Sequence, residues 1–313
     1  MSNSTRPRPE DDGPFGLRAV LPAFAGASAA SRVADNVWLG VGGVRTYPSG
    51  IEFLLEVRSR DPGTAFWFHP RDKRGPWPLA RVRVTLPDGS SVTSGRLDDT
   101  AGLTLQNVSG VRGNWTLRCW LYPRPSPGAL RIELLVDGKG ALGGVSLDLR
   151  AVLATTADVV VLGDSHAEVV PSRPPEHVLA SMVGPSALLV QDWDFAAVVG
   201  AFRAYPDGLV LSLVARWTRP QLRLDPGSAA QHGNFTLHVD APIHDATAGH
   251  SPLGLRMLYG HAGAFLDLEY WLSPLPPHGP IRFRFESSAA GLHGQGAVDG
   301  GELAELAQQA IEL

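Results

Sequence analysis

Cysteine is almost absent from this sequence: Cys119 stands alone among 313 residues. A lone thiol makes no internal disulfide and supplies no multi-thiolate zinc site. Lysine is nearly as scarce, with Lys73 and Lys139 the only two among 27 basic residues. No apolar run approaches the roughly 20 residues of a membrane-spanning helix, which argues against a membrane partner. The basic residues form no block and the net charge is −4, so the electrostatic footprint of a nucleic-acid binder is missing. What is present is an ordinary apolar share of 44%, enough to build a core. The length favours two domains of about 150 residues each.

The chain reads as a tandem repeat. Val44-Arg45-Thr46-Tyr47-Pro48-Ser49-Gly50 recurs as Phe202-Arg203-Ala204-Tyr205-Pro206-Asp207-Gly208. Trp120-Leu121-Tyr122-Pro123-Arg124-Pro125-Ser126-Pro127-Gly128 recurs as Trp271-Leu272-Ser273-Pro274-Leu275-Pro276-Pro277-His278-Gly279. Arg58 aligns with Arg216, Asp148 with Asp299, and Val20-Leu21 with Val178-Leu179. These matches divide the chain into a disordered tail (1–15), repeat 1 (16–162), a Pro-rich linker (163–174) and repeat 2 (175–313). Leu17 to Ala30 faintly resembles a signal peptide. Acidic residues precede it and its counterpart lies mid-chain, so it reads as the opening segment of a domain, and the expected location is the cytoplasm.

Each repeat is mostly strand by periodicity. Ile51, Phe53, Leu55 and Val57 alternate with Glu52, Glu56 and Arg58, and Val82 and Val84 alternate with arginines. Such period-2 runs predict strands with one buried face and the arginines on the solvated one. Leu86-Pro87-Asp88-Gly89-Ser90 predicts a hairpin turn, as does Tyr-Pro-x-Gly in both halves. Residues 116–121 and 129–136 are expected to pair across the proline loop. Six to eight short strands per repeat predict two tandem all-β sandwiches, immunoglobulin-like or C2-like in topology. Each closes with a short helix, in repeat 2 an apolar stripe of Leu303, Leu306, Ala310 and Leu313.

Candidate sites follow from residue type. Tyr47, Tyr205, Pro123, Pro125, Pro274 and Pro276 lie in turns and loops that both repeats share, where aromatic and proline anchors could meet a partner. For Tyr47/Tyr205 and Trp120/Trp271 a core role is the competing reading. Trp67 and Trp77, in a Pro-rich stretch unique to repeat 1, offer a carbohydrate platform or a satellite core. His238, His244 and His250 are of the right type for a metal, though their spacing fits no motif.

Gly163-Asp164-Ser165 resembles the first block of the Gly-Asp-Ser-Leu hydrolases, and the resemblance implies Ser165 as nucleophile. His166 replaces the family's Leu, and neither Asp-x-x-His nor Gly-x-Asn-Asp follows, so the linker reading is preferred. Taken as a whole, the Tyr-Pro-x-Gly and Trp-x-x-Pro-x-Pro elements resemble those of uncharacterised tandem-repeat proteins of high-GC, actinobacterial-type bacteria. That resemblance covers most of the chain and implies no activity. The expected function is a non-enzymatic binding module for a protein partner, without a cofactor or catalytic residues. The alternatives are the Ser165 hydrolase, a metal-dependent site at the histidines, and sugar binding at Trp67 and Trp77.

Overall fold

The computed structural model describes residues 20–21, 23–24, 26–60, 67–68, 80–94, 102–111, 114–162, 178–179, 181–182, 184–219, 222–224, 227–228, 231–232, 234–241, 254–262, 265–276 and 278–312. The expected tail and linker lie outside them. Repeat 1 supplies β1 (Val20–Leu21), β2 (Ala23–Phe24), β3 (Ala29–Ala34), β4 (Val37–Thr46), β5 (Ile51–Ser59), β6 (Ala80–Thr85) and β7 (Ser91–Thr93). It continues with β8 (Gly102–Val111), β9 (Asn114–Tyr122), β10 (Ala129–Val136), β11 (Gly140–Asp148), α1 (Leu149–Ala154) and β12 (Val160–Val161). Repeat 2 supplies β13 (Val178–Leu179), β14 (Ser181–Met182), β15 (Ala187–Gln191), β16 (Phe195–Tyr205), β17 (Gly208–Trp217), β18 (Gly227–Ser228) and β19 (Gln231–His232). It ends with β20 (Thr236–Asp240), β21 (Gly254–Ala262), β22 (Phe265–Ser273), β23 (Pro280–Ser287), β24 (Leu292–Asp299), α2 (Gly300–Ala307) and β25 (Ile311–Glu312).

Each repeat forms a β-sandwich. In repeat 1 a sheet ordered β14-β4-β5-β9-β8, with β3 also on β4, faces a sheet ordered β11-β10-β6-β7. In repeat 2 a sheet ordered β15-β16-β17-β22-β21, with β2 on β16, faces β20-β23-β24. Separate apolar cores fill the two sandwiches, one around Phe53, Leu55 and Ile132, the other around Phe195, Phe202 and Phe283. The predicted turns form as read. Leu86 N donates to Ser90 O at 2.8 Å while Gly89 takes φ +86°, joining β6 to β7. Tyr-Pro-x-Gly joins β4 to β5 and β16 to β17.

One expected pairing is corrected. Residues 116–121 and 129–136 are not partners: β9 pairs with β5 and β8, whereas β10 pairs with β6 and β11. The proline-rich loop carries the chain from one sheet to the other. Prolines that donate no hydrogen bond suit that crossing better than a hairpin turn.

The two repeats are interlocked. β2 of repeat 1 pairs with β16 of repeat 2 (Ala23↔Ala204, Phe24↔Arg203). At the matching positions, β14 of repeat 2 pairs with β4 of repeat 1 (Ser181↔Thr46, Met182↔Arg45). β1 pairs with β25, the last strand of repeat 2, and β13 pairs with β12, the last strand of repeat 1. Each opening segment therefore completes the other repeat's sheet. This reciprocity is the signature of an isologous contact about a pseudo-twofold axis. It also alters the expected end of repeat 2. Asp299 caps α2 by accepting from Gly301 N, as Asp148 caps α1. The helix stops at Ala307, and Ile311–Glu312 extends as a strand because β1 offers it a partner.

Central strands are buried on both faces, which overturns the expectation of one solvated face. Every residue of β5, β16 and β17 is buried, including Glu52, Glu56, Arg58, Arg203 and Arg216. One face packs on its own core and the polar face packs on the other repeat. A β-bulge sets this up in both halves, between Gly42 and Arg45 and between Gly200 and Arg203. Gly43 and Ala201 hold left-handed backbone there, at φ +58° and +52°. Before the bulge Leu39 and Val41 point into the core, and after it Val44 does. That one-residue slip sends Arg45, and likewise Arg203, to the face between the repeats.

Candidate functional site

The shared motifs pack with one another. Tyr47 meets Trp120 edge-on, with ring centroids 5.3 Å apart, and Tyr205 meets Trp271 in the same way at 5.6 Å. Each Trp ring lies over the glycine of its own repeat's Tyr-Pro-x-Gly turn. A methyl group on Gly50 would stand 2.5 Å from Trp120 Cη2 and from Leu121 O, and one on Gly208 2.6 Å from Trp271 Cη2 and from Leu272 O. Tyr47 is 0% and Tyr205 1% exposed. As the chain is folded, neither presents a surface to a partner, because both rings are used inside the turns. Pro125 and Pro276 are buried too, whereas Pro123 and Pro274 are exposed at the loop surface.

Trp67 is buried with Phe68, which stands edge-on to Trp115 in the core of repeat 1. A sugar has no access to it, so the aromatic stretch at Trp67 is core and not platform. Trp77, Ser165, His244 and His250 lie outside the described residues. His238 is half-exposed on the outer face of β20, where it shares a hydrogen bond with Thr236 and lies 3.9 Å from Glu286. Among the described residues no three metal-ligating side chains come together.

The buried polar face holds a chain of arginines and carboxylates that the repeat matching did not reveal. Arg45 of repeat 1 donates to Asp267 of repeat 2 at 2.7 Å and to Glu52 at 2.9 Å. Arg118 pairs with Asp267 and, at 3.3 Å, with Glu269. Arg203 of repeat 2 pairs with Glu56 of repeat 1 and with Glu269 at 2.5 Å. Arg58 also holds Glu56, and it donates to Trp115 O as its counterpart Arg216 donates to Leu266 O. Burial pushes Asp267 up, but Arg118 and then Arg45 more than reverse this and hold it well below the usual carboxylate range. Burial and Glu52 push the Tyr47 hydroxyl up to about 12. Every such group is sealed between the two sheets, so the chemistry here is cohesion.

Trp193 is a large aromatic left on the surface, 67% exposed, at the turn between β15 and β16. The turn is locked from below. Asp192 N donates to Phe195 O at 2.7 Å, and Trp193 N to Asp192 Oδ1 at 2.7 Å. Arg219, just past β17, reaches back to Asp194 at 2.5 Å and to Asp192 at 3.3 Å. The hydrogen bond from Arg219 holds the Asp194 carboxyl below its ordinary range. The result is an apolar ring on a fixed stem between two carboxylates. At the matching turn of repeat 1 stands Asp35. That break in the repeat is the sequence signal that marks Trp193, and a reading that favours shared positions passes over it.

No protein-family model and no curated protein matches the chain. Two solved structures match the chain at low similarity. A conserved domain protein from Bacillus anthracis is 8% identical, over 96% of this chain and 94% of its own, with a TM-score of 0.23. The N-terminal periplasmic domain of ScsB from Proteus mirabilis is 10% identical, over 89% of this chain and 98% of its own, with a TM-score of 0.24. Likenesses at this level carry no weight for function, and no helix among the described residues is long and apolar enough to cross a membrane.

Proposed function

We propose that the chain is a non-enzymatic binding protein of the cytoplasm that recognises a protein partner through the turn at Trp193. The observation that carries this is the exposed indole of Trp193, on a turn that Arg219, Asp192 and Asp194 hold in place. A turn whose backbone is fixed before binding has less freedom to lose on contact, and Trp is among the residues that most often anchor interfaces. The two flanking carboxylates ask for a partner whose apolar pocket has a basic rim. Pro123 and Pro274 are further exposed positions, one on each repeat.

Trp193→Ala tests the reading. The variant should keep the wild-type unfolding midpoint, since exposed substitutions usually change stability by less than about 0.5 kcal/mol. In affinity capture from native lysate, a protein enriched by the wild type should be lost with the variant, a drop of at least about 30-fold for an anchor worth 2 kcal/mol. Equal enrichment by both baits would remove Trp193 from the site. Quenching of its fluorescence by sugars, without any captured protein, would replace the protein partner with a carbohydrate.

A further inference from the structure

We infer that the Arg118–Glu269 pair makes each repeat recognise the unlike repeat and reject a copy of itself. Counting from Trp120 and Trp271, Arg118 and Glu269 occupy the same position in the two repeats. They touch each other at 3.3 Å and are both buried. Equivalent residues that touch across an isologous contact lie at its axis. A like pair of repeats would therefore set arginine against arginine, or glutamate against glutamate, in a largely buried place. Like charges buried in such contact are strongly repulsive, and this is how interfaces exclude wrong partners.

The remaining charges do not discriminate in this way. Arg45 and Arg203 are equivalent, and each meets a carboxylate across the contact: Asp267 for Arg45, Glu56 for Arg203. Glu56 lies on β5 and its cross-strand partner is Thr116, while Asp267 lies on β22 opposite Val214. The two repeats thus place a carboxylate on neighbouring strands, and either one could serve a like pair. The neighbours of the axis are adjusted to the choice made there. In repeat 2, Glu269 attracts Arg203 directly and position 210 is Val. In repeat 1, Arg118 would repel Arg45, and the equivalent position is Glu52, 2.9 Å from Arg45 and 3.6 Å from Arg118. Axis charge and compensating acid change together, as a specificity device requires.

The test uses the full chain with a protease site inserted in 163–174 and cut after folding. The nicked protein is unfolded in urea, refolded, and its pairs are weighed by native mass spectrometry. The wild type should re-form only the unlike pair. Arg118→Met with Glu269→Met, two apolar side chains of similar reach, should refold to a mixture containing both like pairs. Like pairs from the wild type, or the unlike pair alone from the double variant, would overturn the inference. Where the cut halves do not re-associate, the intact chain decides. A double-mutant cycle of the same substitutions should give a coupling of about tenfold or more in the unfolding constant, and a coupling below about twofold would overturn it.

Discussion

Replacing Asp267 by alanine is expected to destabilise the protein by about 3 kcal/mol, the lower end of the cost of breaking a buried ion pair, because the two arginines it serves keep one acid each. Asp267 is the acceptor that Arg45 and Arg118 share, so its loss takes one counter-charge from each of two buried arginines and leaves Glu52 and Glu269 to hold both. Urea unfolding at neutral pH measures the effect, and a loss under about 1 kcal/mol would mean that water or another acid takes over. The sign of the pH dependence follows from the same geometry. The folded-state carboxyl is held below its unfolded value, so its contribution is complete above the ordinary Asp range of about 4 and is lost as the pH falls below it. Wild-type stability should fall between about pH 5 and pH 2, and part of that fall should be missing from Asp267→Ala. This loss on truncation is not a measure of what the network adds relative to an apolar interface, because burying ions is itself costly.

Gly50→Ala and Gly208→Ala are each expected to cost about 2–3 kcal/mol, at the upper end for overpacking. The added methyl meets a backbone carbonyl and a Trp ring at 2.5–2.6 Å, and neither can move without disturbing the strand beside it. In Gly50→Ala the near-ultraviolet dichroism of the Tyr47–Trp120 pair should change as well. Thermal unfolding of the two variants checks the equivalence of the sites. A midpoint within 2 °C of wild type for either would show that the turn can shift away from the ring. Gly89 provides the contrast: nothing lies within 4 Å of a methyl there, so only its left-handed backbone resists substitution.

Much of the architecture could be read from residue order. Alternation in Ile51–Val57 and Ala80–Thr85 specified strands because the side chains of a strand point to opposite faces in turn. Pro87-Asp88-Gly89 and Tyr-Pro-x-Gly specified turns because their backbone preferences are local. The two copies of each motif specified two like domains. The sites were less legible. Tyr47 and Tyr205 have the residue type of surface anchors, yet both lie under a Trp from a strand about 70 residues later in the chain. Nothing local separates a tyrosine that faces water from one that meets a distant ring.

The sequence by itself determined a duplicated all-β chain and its hairpin turns, since each depends on neighbours along the chain. Tertiary structure alone decided that the opening segment of each repeat lies on the sheet of the other, because Ala23 and Ser181 gain partners only once both sheets exist. It also decided which side of the central strands is dry. Glu52, Glu56 and Arg58 have the pattern of a solvated face. The opposite repeat covers that face and adds Arg203 to Glu56, Asp267 to Arg45 and Glu269 to Arg118, beside the pairs that Glu52 and Arg58 make within their own repeat.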